Sequence, residues 1–213
     1  MRFPNPRVAA AFLTGGVLAM AGCGGSDVPP SGPPRLAPAT GASLIGACAD
    51  LAAQLATLAN TTITAATEIA EGTLTVGGQP VPAHCRVTGS MFPRVGPIDG
   101  ANYSIDFEMR LPVAWNGRFF HQGNGGIDGS VVTATGGVGG GGALTHALAQ
   151  GFAVLSSDAG HRGAQGPNFG IDPQARLDYG YQAVGKLTPM AKSLIQTAYG
   201  KGPDRSYFGG CSN

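Results

Sequence analysis

Charge is scarce in this chain. Asp, Glu, Lys and Arg make up 12% of its 213 residues, about half the usual share. The 13 basic and 12 acidic residues leave a net charge of +1. There is no basic run, so the electrostatic footprint of a nucleic-acid partner is missing. Aromatic residues are few, 7% with a single Trp. No apolar run reaches the ~20 residues of a bilayer-spanning helix. The chain is nonetheless 43% hydrophobic, enough for one domain with a sizeable core. Glycine is abundant at 36 residues, and low charge with many small residues suits an exported, turn-rich protein.

The first residues read as a targeting segment. Arg2 and Arg7 precede an apolar stretch, Val8 to Ala21, interrupted by Gly15 and Gly16. It is short for a membrane span, and small residues follow it. Leu18-Ala19-Met20-Ala21-Gly22-Cys23 resembles a bacterial lipobox, in which the Cys is lipidated and becomes the mature N-terminus. Met20 is unusual at its position, so plain secretory cleavage with Cys23 incidental stays open. Either route takes the protein out of the cytoplasm, and any membrane attachment would run through the lipid alone.

Residues 1–23 are thus read as a signal, and 24–41, with Pro29, Pro30, Pro33, Pro34 and Pro38, as a solvated tether. The folded region is expected over 42–213. Leu51, Leu55 and Leu58 give helical spacing after Cys48. Strands are expected at Cys85 to Phe92, at Tyr103 to Leu111, where apolar and polar residues alternate, at Gly117 to His121, Phe152 to Ser156 and Ser206 to Gly209. Helices are expected at Ala143 to Gln150 and Asp178 to Tyr199, with glycine-dense loops at Gly123 to Gly142 and Ala159 to Gly170. Antiparallel strands followed by strand–helix–strand–helix–strand argue for an α/β sheet whose later strands are parallel.

There are four cysteines. Pairing Cys48 with Cys85 would tie the first helix to the first strand and contribute about 4 kcal/mol in the chain-entropy model; two buried free thiols are the alternative. Lipidation of Cys23 would leave Cys211 as an odd thiol in an oxidising compartment. The simplest account is a partner beyond Asn213.

Gly210-Cys211-Ser212-Asn213 has the start of Gly-x-Ser-x-Gly. In a nucleophile elbow the Ser sits on a strained strand-to-helix turn, so its neighbours must be small. Taken alone the pattern is weak, since an ordinary glycine turn looks the same. An acyl-transfer site also needs backbone N–H donors for the oxyanion. One comes from the residue after the nucleophile, here Asn213, and another from a loop after an earlier strand. Gly123-Asn124-Gly125-Gly126 is placed to supply it; a flexible surface loop is the bland reading.

A resemblance becomes specific at this point. Trp115-Asn116-Gly117-Arg118-Phe119-Phe120 with Gly123-Asn124-Gly125-Gly126 resembles the tannase/feruloyl esterase family. So do Ser157-Asp158-Ala159-Gly160-His161, Gly170 to Asp178, and Ser206-Tyr207-Phe208-Gly209-Gly210-Cys211-Ser212. Within the family the chain is especially similar to the mono(2-hydroxyethyl) terephthalate hydrolase branch. The match runs in order from about Cys48 to the end. It implies an α/β-hydrolase fold with Ser212 as nucleophile and the N–H groups of Gly126 and Asn213 as oxyanion hole. It also implies a Cys48–Cys85 disulfide, and a disulfide from Cys211 to a Cys beside the catalytic His. The family's Asp, His, lid and structural calcium site would all lie beyond Asn213, so no cofactor is expected within this chain. Relatives often carry Thr or Glu after the nucleophile, where this chain has Asn213; a backbone donor survives that change, a side-chain role does not.

The four histidines all precede Ser212, whereas in α/β-hydrolases the acid and base follow the nucleophile. A Ser212–His161–Asp158 triad is therefore rejected, with Asp158 and His161 read as loop anchors. His84 is expected at a surface or edge, and His121 and His146 have no evident role. Asp172, Arg176 and Asp178 are expected in helix-start and ion-pair contacts. No spacing suits zinc. The leading expectation is an exported serine carboxylic-ester hydrolase acting on small esters of aromatic acids, these residues alone being an incomplete, inactive and poorly folding part. The alternatives are a non-catalytic surface lipoprotein with a vestigial elbow, or an acyltransferase on the same scaffold.

Overall fold

The alternating run does form a strand: Tyr103, Ile105, Phe107, Met109 and Leu111 are buried, while Ser104, Asp106 and Glu108 are half-buried between them. In the computed structural model, which describes residues 36–137 and 142–211, this strand lies near the middle of a mixed six-stranded sheet. The chain begins with β1 (Ala42–Ser43), a 3-10 turn at Cys48–Asp50, α1 (Leu51–Gln54) and β2 (Thr61–Ile69). The two-residue strands β3 (Thr75–Val76) and β4 (Gln79–Pro80) precede β5 (His84–Val95) and β6 (Asn102–Pro112). Then come β7 (Ala114–Trp115), β8 (Arg118–Gly123), β9 (Ala153–Ser157), α2 (Pro173–Leu177), α3 (Ala183–Tyr199) and β10 (Arg205–Gly210).

The sheet order is β10-β8-β9-β6-β5-β2. β2, β5, β6 and β9 are successively antiparallel, whereas β9–β8 and β8–β10 are parallel. The mixed α/β architecture expected from the sequence is the one observed. Period two divides the parallel strands between two cores. Phe119 and Leu155 point into the core under α3, and Phe120 and Val154 into a second one with Leu148 and Val81. On α3, Leu187, Met190, Ala191, Leu194, Ile195 and Ala198 recur at helical spacing and are all buried. Gly200, at φ +73°, ends the helix in the left-handed conformation that glycine adopts without steric cost.

Cys48 and Cys85 are disulfide-bonded with Cα atoms 5.5 Å apart, both inside the main core. Hydrogen bonding of the fold reaches back to Thr40, whose N–H donates to Asp204 Oδ2 at 2.8 Å while Lys201 donates to its hydroxyl at 2.7 Å. Asp204, held by these donors, has a pKa lowered to about 2, the backbone bond from Thr40 being the largest cause. The signal, Cys23 and most of the tether lie outside the described residues. No helix among the described residues is long and apolar enough to cross a membrane.

Three local expectations are corrected. Residues 143–150 form turns rather than a helix. There the N–H groups of Ala147 and Leu148 are taken by the Gly136 and Thr135 carbonyls, so tertiary bonds replace helical ones. The long helix opens with a π-helical turn, Asp178–Gln182, before α3 begins. His84 is fully buried, not at a surface. Its Nδ1 lies 2.7 Å from the Pro82 carbonyl and its Nε2 2.6 Å from Arg110 Nη1. Arg110 cannot give up its protons, so Nε2 accepts and Nδ1–H donates. β2 was not foreseen: its Thr- and Ala-rich run is half-buried or exposed, and no apolar alternation marks it.

Candidate active site

The Trp115-Asn116-Gly117-Arg118 segment sets the start of β8. Asn116 Oδ1 accepts from Arg118 N at 3.0 Å and its Nδ2 donates to the Gln150 carbonyl at 2.7 Å. Gly117 has φ +82°, and a Cβ there would lie 2.4 Å from the Thr40 carbonyl. Trp115 stacks on Tyr199 with ring centres 4.5 Å apart. From that start β8 and β10 run parallel in register, Arg118 beside Arg205 through to Gly123 beside Gly210.

At their far ends the two strands meet glycine to glycine. A Cβ on Gly210 would sit 2.7 Å from the Gly123 carbonyl oxygen and 3.0 Å from its Cα. The strand that leads to the candidate nucleophile therefore ends beside the first residue of the candidate oxyanion loop. Cys211 follows, exposed and without a disulfide partner among the described residues. Ser212 and Asn213 lie outside the described residues.

The glycine loop after β8 is tethered rather than loose. Asn124 is buried; its Nδ2 donates to the Ser157 carbonyl at 2.7 Å and its Oδ1 accepts from Gln122 Nε2 at 2.9 Å. Gln122 Oε1 in turn accepts from Gly136 N at 2.7 Å. Glu108 holds the same loop through Ala134 N at 2.9 Å while pairing with Arg110 at 2.7 Å. Gly126 has φ +72° and open space where a Cβ would point. Further on, Gly129 N donates to the Asp158 carbonyl and Gly163 N to the Gly129 carbonyl, strapping this loop to the one after β9.

Asp158 and His161 sit on that second loop but do not form a pair. Asp158 Oδ1 accepts from Asp106 N at 3.0 Å and Gly160 N at 2.9 Å, and burial pushes its pKa up to about 7. The His161 ring stacks on Phe169 at 3.7 Å and meets Tyr179 edge-on at 5.6 Å. Asp172 caps α2 by accepting from Ala175 N at 2.7 Å and forms a two-pronged pair with Arg94, which holds its pKa down. Asp178 pairs with Lys186, and Arg176 donates to the Gly170 carbonyl. Asp172 and Asp178 thus serve a helix start and ion pairs, whereas Arg176 bonds to backbone carbonyls instead. Among the described residues no group of three or more His, Cys, Asp or Glu is arranged to hold a metal ion.

A cleft of about 330 Å³ opens at the carboxyl ends of β8, β9 and β10, where ligands bind in open α/β sheets. Its lining includes His121, Asn124, Ser157, Tyr179, Tyr181 and Phe208. His121 Nδ1 lies 3.1 Å from Thr188 Oγ1, and burial pushes the ring pKa down to about 4, so it is neutral near pH 7. Asp128, also lining the cleft, is pushed up to about 6 by burial. The roles of Gln122 and Tyr181 were missed from sequence. Its place at the end of β8, directly before the glycine loop, was the available signal for the first. The second depends on the π-helical turn, which no periodicity announced.

Comparison with known proteins agrees with the resemblance. The chain is 43% identical over 146 residues to a mono(2-hydroxyethyl) terephthalate hydrolase of Piscinibacter sakaiensis, covering 65% of this chain and 24% of that protein. It is 35% identical over 109 residues to a probable feruloyl esterase B-2 of Aspergillus flavus, covering 51% and 19%. The crystal structure of feruloyl esterase B from Aspergillus oryzae superposes with a TM-score of 0.62 at 25% identity, over 77% of this chain and 31% of that one. The chain thus spans about a quarter of the length of the curated relatives it matches. The model of the tannase and feruloyl esterase family matches residues 85–213, more than half of the chain, and the chain belongs to that family.

Proposed function

We propose that this chain is the nucleophile-bearing part of an exported serine carboxylic-ester hydrolase that cleaves esters of aromatic acids through an acyl-enzyme. The observation that carries the reading is the register of β8 and β10, which places Gly210, two residues before Ser212, beside Gly123 at the head of the glycine loop. The strand order adds support. Its parallel run β9-β8-β10 puts a glycine loop after one strand and a Gly-x-Ser after the next, as the α/β-hydrolase plan requires. Ser212 attacks the ester carbonyl, the N–H groups of Gly126 and Asn213 bind the oxyanion, the alcohol departs, and water releases the acid.

The base and its supporting acid belong after the nucleophile in this fold, and only Asn213 follows Ser212 in the sequence given. His121 and His161 do not take that role: one is held by Thr188, the other is stacked on Phe169 away from any carboxylate partner. Export is supported by Arg2, Arg7 and the apolar run to Cys23, and by a disulfide of the kind that persists outside the cytoplasm. Lipid attachment at Cys23 would anchor the protein to the cell envelope. Cys211, exposed at the elbow, pairs with a cysteine near the base in this reading.

The test is a Ser212→Ala change in the product of the whole reading frame, assayed on ferulate, gallate and terephthalate monoesters. Turnover should fall on the order of a millionfold. Unchanged turnover ends the assignment to Ser212.

A further inference from the structure

His161 is an oddity in a well-satisfied interior. It is 1% exposed, and neither ring nitrogen has a hydrogen-bond partner among the described residues. A neutral imidazole carries one N–H and one acceptor nitrogen, and a buried donor without an acceptor costs about 1–3 kcal/mol. A phenyl ring would stack on Phe169 and Tyr179 without that cost, so packing alone does not account for a histidine here.

The backbone facing the ring belongs to the glycine loop. The Ile127 carbonyl is near enough to pull the ring pKa upward against the larger, downward effect of burial. No hydrogen bond joins it to either nitrogen. Ile127 directly follows Gly126, the candidate oxyanion donor, whose φ of +72° and open surroundings leave its peptide planes little side-chain restraint. Two straps, Gly129 N to the Asp158 carbonyl and Gly163 N to the Gly129 carbonyl, already hold the loop on both sides of the histidine.

We propose that His161 is a positioning residue: its ring N–H closes onto the Ile127 carbonyl and fixes the loop so that the Gly126 N–H faces the oxyanion. The inference rests on the ester-hydrolase reading for what the loop does, but not for whether the strap exists. His161 touches no substrate; it acts through the loop.

The test compares His161→Phe, which keeps the stack and loses the donor, with wild type and with His161→Gln, which restores a donor, in the product of the whole reading frame. Hydrogen exchange followed by mass spectrometry over residues 124–129 should be about tenfold faster in the Phe variant, with the unfolding midpoint unchanged, and should return toward wild type in the Gln variant. Equal exchange in wild type and the Phe variant overturns the proposal. Should the Phe variant fail to fold, imidazole NMR of the wild type decides. A slowly exchanging His161 ring proton close to Ile127 supports the strap, and a ring proton free of that contact overturns it. Ester turnover is a separate readout, with kcat expected to fall about a hundredfold at unchanged KM, as for a misplaced oxyanion donor. If wild type hydrolyses no ester, the functional reading fails while exchange still judges the strap.

Discussion

Gly210 and Gly123 lie side by side across the parallel pair β10–β8, with 2.7 Å between the Gly123 carbonyl oxygen and the place a Cβ on Gly210 would occupy. Backbone atoms, not side chains, make this contact, so nothing there can swing aside to admit a methyl group.

Gly210→Ala should therefore push the two strand ends apart. The expected loss is about 1–3 kcal/mol, the usual cost of overpacking a tight site, together with most of the ester turnover, since nucleophile and oxyanion loop would separate. Urea unfolding monitored by fluorescence measures the first effect. A variant as stable as wild type would show that the strands part freely.

The Cys48–Cys85 disulfide encloses a sequence separation of 37 residues. Replacing both with Ala should cost about 4 kcal/mol if chain entropy dominates. Denaturant midpoints of wild type with and without reductant, and of the double variant, check this; the reduced wild type and the variant should converge.

Asp158 gives a pH dependence of known sign. Its folded-state pKa is raised to about 7 from 3.8 by burial, so its contribution is full below about pH 4 and is lost as pH rises through 7. At one pKa unit per ~1.4 kcal/mol the span is about 4 kcal/mol. Asn at this position keeps an acceptor for the Asp106 and Gly160 N–H groups. Asp158→Asn should accordingly flatten the loss of stability between pH 4 and pH 8, measured by denaturant titration at each pH.

His121 acts in the opposite direction. Burial lowers its pKa from 6.5 to about 4, so its contribution is full above pH 6.5 and is lost as pH falls toward 4, by about 3 kcal/mol. In the Asp158→Asn background, where the competing carboxyl is removed, acid lability over that window should be plain. His121→Gln should reduce it. Persistence of the full acid loss in the double variant would place its origin in His84 or His161, whose pKa values are also lowered by burial.

Local patterns were read directly wherever one interaction type governed a stretch. The period-two run of β6 and the helical spacing on α3 each state their own geometry. Patterns that depend on a distant partner were not legible. Residues 143–150 look helical until the Gly136 and Thr135 carbonyls compete for their N–H groups. His84 looked like an edge residue because nothing nearby in sequence announces Arg110, which reaches it from the neighbouring strand.

The sequence by itself determined the class of fold, the family and the candidate nucleophile, because strand alternation, glycine placement and the Gly-x-Ser turn are written in contiguous residues. Tertiary structure decided what those residues meet. Parallel pairing of β10 with β8 puts Gly210 against Gly123, and the bond from Asn124 to the Ser157 carbonyl stiffens the glycine loop. Such contacts join segments 30 to 90 residues apart. They arise only when burial of both sheet faces brings the ends of the strands together.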